Sequence, residues 1–281
     1  MKKIVRSLLL VLGIACSSQF ISAAGNEADS LAFVNAPWQV SVVPDDFAFV
    51  RTQTDLFDSR QAISFVAFPA DSFCITLYPH EGLELVSATA QAHDGLAAIN
   101  AGYWNMSTDI PATYIRSKGV DVSQTEDCEA YRVNGVVIFK GDDVDIEYCD
   151  TAGYPALAEK YDNILSCGPL LIDNGKAFDY SGGNSFFTNR HPRSVIGKTA
   201  DGDIIFLVVD GRIKGEAAGV SIPELTQICQ WMGMTDALNL DGGGSSTLWF
   251  MGNVVNHPSD NKTYDNQGER KVSSSIVVSK K

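Results

Sequence analysis

The stretch Ala237-Leu-Asn-Leu-Asp-Gly-Gly-Gly-Ser-Ser-Thr247 constrains this chain more than any other: an apolar strand ends in two polar side chains and runs straight into three glycines. Side chains alternate faces along a strand, so Leu238 and Leu240 pack on one face while Asn239 and Asp241 are presented on the other. Gly242, Gly243 and Gly244 lack a Cβ, which permits positive φ and close approach of a ligand to their N–H groups. Ser245 and Ser246 add hydroxyls. An Asp-Gly hairpin turn is the plainer reading. Three glycines are more than a turn requires.

The rest of the composition bounds the function. The chain has 281 residues, 45% hydrophobic and 20% charged, the make-up of a soluble globular protein with a good-sized core. Its formal charge is −13, and no basic run occurs beyond the first six positions. Such an acidic balance repels a phosphate backbone and argues against a nucleic-acid partner, while leaving room for one phosphate held by a local arginine.

Met1 to Ala24 reads as an export signal: Lys2, Lys3 and Arg6 precede the apolar run Leu8 to Ala15, and Ser22-Ala23-Ala24 offers small residues for cleavage. The apolar run is too short to span a membrane, and no other segment is a candidate span. Cys16 offers lipoprotein processing as the rival event. Either route places the mature protein in the periplasm or outside the cell. Five further cysteines form no Cys-x-x-Cys pair, and Cys128 with Cys149 is the most plausible disulfide, since they flank a strand-like segment.

Strand-like runs recur at 63–68, 73–78, 96–101, 131–139, 204–209, 237–240, 247–250 and 272–278. The pattern predicts a mixed α+β fold: a strand-rich single domain over 61–281 with a twisted mixed sheet and few helices, preceded by a loosely attached entry segment over 25–60. The clearest helix follows Ser221, where Ser221 and Glu224 make a capping-box pattern and Leu225, Ile228, Cys229 and Met232 recur at helical spacing before Gly233. That helix sits inside a strand–helix–strand unit at 204–240, whose parallel strands would deliver Asp210 and Asp241 to their carboxyl ends, where ligands gather.

Four more groups of polar residues stand at the ends of apolar runs. They are Asn100-Ala-Gly-Tyr-Trp104, His191-Pro-Arg193, Asp210-Gly-Arg212 and Glu269-Arg270. Taken singly each reads as a turn, a core aromatic or a solvated pair. Together with the glycine stretch and Cys167-Gly-Pro-Leu-Leu-Ile-Asp-Asn-Gly175, and in this order, they resemble the successive motifs of the phosphodiester glycosidase family. The resemblance runs from about Ala88 to the C-terminus, with Ser194 where the family often has threonine and Cys167 where it often has alanine. It implies removal of a sugar from a sugar-1-phosphodiester, leaving a phosphomonoester.

Breaking the bond between the anomeric carbon and the phosphate oxygen builds positive charge on the sugar and negative charge on the phosphate, so the site needs a carboxylate and a cation or N–H donors. Asp241, Asp210 and Glu269 are the candidate carboxylates, with their roles unranked. Arg193 is the candidate phosphate clamp, because a guanidinium offers a bidentate fork and stays charged. The backbone of Gly242, Gly243 and Gly244 adds N–H donors. Asn100 and Asn239 are expected on sugar hydroxyls, Tyr103 or Trp104 against the sugar's apolar face, and His191 as a proton carrier or turn former. Gly102, Arg212, Ser245, Ser246 and Arg270 complete the expected substrate site. No cofactor is called for, although Asp210 and Asp241 leave open a calcium or magnesium ion serving a metal-dependent phosphodiesterase. A glycan-binding protein without turnover is the remaining alternative.

Overall fold

In a computed structural model the structure describes residues 27–281. The segment read as an export signal, and Cys16, lie outside them. The run Asp203–Val209 shows why the core forms as it does: every residue is buried. Ile204, Phe206 and Val208 enter one hydrophobic cluster, and Ile205, Leu207 and Val209 enter another. A strand apolar on both faces must sit between two layers. Here it lies inside an eight-stranded sheet, in the spatial order Gln39–Val43, Phe47–Leu56, Ser59–Pro69, Asp203–Val209, Arg193–Thr199, Met234–Asn239, Leu170–Asp173, Lys176–Ala177.

One face of this sheet is covered by the helix Ile222–Trp231, which buries Ile222, Leu225, Ile228 and Cys229. Its capping box is present as read from the sequence: Ser221 Oγ accepts from the Glu224 N–H, and Glu224 Oε2 accepts from the Ser221 N–H at 2.8 Å. Gly233, at φ 74°, follows its C-cap. The other face packs on two five-stranded sheets, one in the order Val144–Tyr148, Gly135–Phe139, Ile164–Cys167, Ile115–Ser117, Val120–Ser123 and one in the order Asn253–Val254, Leu248–Phe250, Gly95–Asn100, Val272–Lys280, Phe73–Glu84. All three sheets contribute to a single apolar cluster, with Phe206, Val137 and Ile99 among its members.

The strand-rich reading with few helices holds, and the structure corrects it in three places. Every pairing in the large sheet is antiparallel, where a mixed sheet was expected. The strands of the 204–240 unit do run parallel to each other, but they are not neighbours: Arg193–Thr199 lies between them and pairs antiparallel with both. Residues up to Arg60 are not loosely attached either. Phe47–Leu56 pairs with Ser59–Pro69 from Ala48↔Ala67 to Leu56↔Ser59, and Phe33, Phe47 and Val50 are fully buried. Thirdly, Cys128 and Cys149 form no disulfide; Cys128 is exposed beside Glu126, and Cys149 is buried with its Sγ 3.4 Å from Asp150 O.

Candidate active site

The inserted strand is what assembles the site. Because Arg193–Thr199 runs antiparallel to both flanking strands, its start lies beside both of their ends, with Arg193 opposite Val209 and the Leu240 N–H donating to Ser194 O at 2.8 Å. Thus 191–193, 210–212 and 241–244, three separate groups in sequence, meet at one edge of the large sheet. The other two sheets deliver their own strand ends there. Asn100 ends Gly95–Asn100, and its amide donates to Asp241 O at 2.5 Å while its carbonyl accepts from Ser194 Oγ (2.8 Å) and the Thr247 N–H (3.1 Å). Gly168 follows Ile164–Cys167, and its carbonyl accepts from Asn239 Nδ2 at 2.7 Å and from the Tyr103 hydroxyl.

Asp241 is the one candidate carboxylate open to this junction. It is half-buried, and burial pushes its carboxyl up to about 6, against the opposing pull of the Ser245 hydroxyl, the Arg132 and Arg270 charges and the Gly242 N–H, which donates to Oδ1 at 2.9 Å. The other two carboxylates are committed elsewhere. Asp210, 1% exposed, accepts from Asn256 Nδ2 (2.9 Å), the His257 N–H (3.1 Å) and His257 Nδ1 (2.9 Å). Glu269 accepts from both the N–H (2.8 Å) and the hydroxyl (2.6 Å) of Ser87, in the first turn of the helix Val86–Ala92. Asp210 thus bonds the Asn256–His257 segment and Glu269 the start of the helix Val86–Ala92.

The cations are redistributed too. Arg193 is buried, with Nε donating to Val220 O (3.1 Å) and Nη2 to Phe186 O (2.8 Å) and Asn189 O (3.1 Å); burial first, then Arg132 and Arg212, lower its guanidinium to about 10. It pins the 186–189 segment instead of presenting a free fork. Arg132, which the sequence reading passed over, is the arginine whose charge pulls most on Asp241. Its guanidinium carbon lies 4.1 Å from the Tyr103 ring centre and 4.4 Å from that of Phe186, with Glu129 at its outer end. Only its place in an acidic segment, Glu126 to Arg132, marked it in the sequence.

The glycines turn out to serve the arginines. A Cβ on Gly243, which has φ 64°, would stand 2.9 Å from Arg212 Nη2, and one on Gly244 would stand 2.7 Å from the Arg270 Cζ. A Cβ on Gly242 would meet Pro192 O at 2.7 Å. The expected N–H cradle is partly spent, since Gly242 donates to Asp241 and Gly243 to Pro192 O at 2.9 Å. What the missing side chains admit is two guanidinium groups. Arg270 pairs with Asp260, and Arg212 Nη2 donates at 3.2 Å to His191 Nδ1, which must then be unprotonated. Burial, then Arg193 and Arg212, lowers the His191 imidazole and favours that neutral form.

The remaining expected residues are close by but internally satisfied. Asn100 and Asn239 are 0% and 1% exposed, and their amides tie strands together instead of facing a sugar. Tyr103 is buried under Arg132. Trp104, only partly buried, directs Nε1 at Ser245 Oγ, 3.5 Å away. Gly102 donates to Ser274 Oγ at 3.1 Å, and a Cβ there would meet Thr113 Oγ1 at 2.7 Å. Ser246 Oγ is buried with no hydrogen-bond partner. Among the described residues no group of three or more His, Cys, Asp and Glu is arranged to hold a metal.

At this junction of three sheets a strand-rich α/β protein sets the Asp241 carboxyl among arginines. The chain belongs to the phosphodiester glycosidase family, whose model matches residues 93–279. It is 32% identical over 97 residues to the N-acetylglucosamine-1-phosphodiester alpha-N-acetylglucosaminidase of Bos taurus, covering 34% of this chain and 18% of that protein. It is 25% identical over 185 residues to the uncharacterised SPbeta prophage-derived protein YomE of Bacillus subtilis, covering 63% of this chain and 28% of that one. The chain thus spans less than a third of the length of these relatives. Its fold is that of the zebrafish N-acetylglucosamine-1-phosphodiester alpha-N-acetylglucosaminidase catalytic domain, with TM-score 0.65 and 19% identity over 87% of this chain and 88% of that domain.

Proposed function

We propose that this chain is an exported glycosidase that hydrolyses the bond between a sugar's anomeric carbon and phosphate in a sugar-1-phosphodiester. The observation that carries the reading is Asp241, a carboxyl raised to about 6 whose charge is answered by Arg132 and Arg270, with Arg212 laid against the next glycine but one. The arginines suit the phosphate as it gathers negative charge. An ordinary glycoside needs a second, protonated carboxyl to discharge an alkoxide. A phosphomonoester leaves as a stable anion whose second ionisation falls near pH 6, so cations suffice and one carboxylate can serve the anomeric carbon. Asp241 then either takes a proton from the attacking water or itself bonds the anomeric carbon before water releases it. In both courses the bonding electrons of the broken C–O bond pass to the phosphate oxygen, and water's oxygen ends on the sugar.

Turnover of an N-acetylglucosamine-1-phosphate diester in heavy-oxygen water therefore labels the released sugar and leaves the phosphate unlabelled. Label in the phosphate overturns the glycosidase reading in favour of attack at phosphorus. Saturable binding without product overturns it in favour of a glycan-binding protein. Arg132→Ala lowers kcat/KM by about 2–4 kcal/mol, the usual cost of losing a preorganised charge stabiliser. Export belongs to the same proposal and is supported by the basic start, apolar run and small residues of positions 1–24.

A further inference from the structure

A cavity of about 780 Å3 opens at the end of the large sheet away from Asp241. Asp203 begins the strand Asp203–Val209, and Asp210 follows its last residue at the three-sheet junction, so the two ends stand roughly 20 Å apart. Six carboxylates line the cavity: Asp46, Asp71, Asp142, Asp143, Asp201 and Asp203. Lys198 Nζ answers Asp143, at 2.7 and 2.9 Å from its two oxygens, and donates to Val144 O at 3.1 Å. Lys281 Nζ, on the rim, donates to Asp142 Oδ2 at 2.9 Å and to Asp71 O at 2.5 Å. Asp203 is 7% exposed, and among the described residues no hydrogen bond or ion pair reaches its carboxyl. Burial, then the charges of Asp201, Asp46 and Asp71, push that carboxyl upward, with no cation opposing them. Asp46 Oδ1 is likewise buried with no hydrogen-bond partner. A carboxylate kept from water among like charges is costly, and a cation that enters the cavity relieves that cost.

We propose that this cavity binds a linear polyamine, a chain of ammonium groups joined by short alkyl spacers, with Asp203 and Asp46 receiving ammonium groups. The two lysines show which chemistry its walls accept, since each is a primary ammonium held by a carboxylate together with a backbone carbonyl. A metal ion needs its ligands converged on one point, and among the described residues no three acidic, His or Cys side chains are so arranged. Carboxylates spread around a cavity of this volume suit positive charges spread along a chain. Pro69 and Ala70 add apolar surface to the wall for the alkyl spacers. The formal charge of −13 draws a polycation towards the protein.

The test is calorimetric titration with spermidine at physiological ionic strength, where loose surface attraction is screened. Spermidine binds saturably at one site and more tightly than methylamine. Asp203→Asn weakens it about tenfold and Asp46→Asn weakens it too, while Asp127→Asn, which removes the same charge from an exposed position outside the cavity, leaves it unchanged. Asparagine keeps the shape of aspartate, and a cooperative unfolding transition checks that each variant is folded; should Asp203→Asn not fold, Asp46→Asn decides. No saturable binding, or equal weakening by Asp127→Asn, overturns the site. Calcium chloride binding more tightly than spermidine, with that binding lost in Asp203→Asn, overturns it in favour of a metal centre. Tetralysine doing the same overturns it in favour of a surface for a basic protein segment. Because the readout is binding, each result stands whether or not the protein turns over a sugar-1-phosphodiester.

Discussion

At the scale of single residues the decisive quantity is the protonation of Asp241. Its carboxyl titrates near 6 in the folded chain and near 4 when unfolded, so the folded state holds a proton that the unfolded state releases in that window. Stability contributed by the neutral form is present below about pH 4 and is lost as pH rises through about 6. Asp241→Asn removes this penalty. The variant is expected to be more stable than the parent at pH 8 by about 1–2 kcal/mol, a figure discounted because the carboxyl is partly open to solvent, and equal to it near pH 3.5. Denaturant melts at the two pH values check this; an equal gain at both would show that packing, not charge, is responsible. The same substitution abolishes turnover, and the parent's kcat/KM rises through about pH 6 as the carboxylate forms. Asp241 was legible because strand alternation and the following glycines leave its side chain nowhere to pack. Arg132 was not, because its role depends on Tyr103 and Phe186, which lie 29 positions before and 54 after it and approach only in the fold.

Among the elements, the short helix Val86–Ala92 gives the motif residue Glu269 a structural role. Its N-cap position is Leu85, which offers no side-chain oxygen to the first N–H groups of the helix. From 182 positions away Glu269 accepts from the Ser87 N–H and from the Ser87 hydroxyl, at the positive end of the helix dipole. Glu269→Ala is therefore expected to destabilise the protein by about 1–2 kcal/mol, with kcat per folded molecule retained. A Glu269→Gln variant separates the two roles: it keeps the shape, restores part of the cap and, were Glu269 the missing catalytic carboxylate, would lose turnover as completely as the alanine. By contrast the helix Ile222–Trp231 was read accurately, box and glycine stop included, because all its signals are local. The entry segment was misread for the opposite reason. Val40 and Val42 are exposed on an edge strand, so the pattern over 39–43 carries no buried face to recognise, and pairing with Phe47–Leu56 alone defines it.

For the molecule as a whole, what matters is that the site lies where three sheets end, joined by two buried amides: Asn100 links its own sheet to the largest, and Asn239 reaches the third through Gly168 O. Asn100 finishes one sheet, accepts from Ser194 in the largest and from Thr247 beyond the glycines, and donates to the carbonyl of Asp241 itself. The sequence shows a polar residue after an apolar run, but not that the run belongs to a different sheet from Asp241; that follows from pairings between Gly95–Asn100 and Val272–Lys280, 175 positions apart at Asn100↔Ser275. Asn100→Ala strands the Ser194 hydroxyl, the Thr247 N–H and the Asp241 carbonyl in a region with no access to water, and is expected to cost about 2–4 kcal/mol. Asn100→Asp keeps the acceptor and loses the donor, while adding a buried negative charge beside Asp241. If Asn100 is the strut that fixes the catalytic carboxyl, the aspartate variant raises the apparent pKa of the kcat/KM profile above the parent's value near 6, because a second negative charge disfavours ionisation of Asp241. A profile unmoved by that charge would detach Asn100, and with it the junction of the sheets, from the chemistry at Asp241.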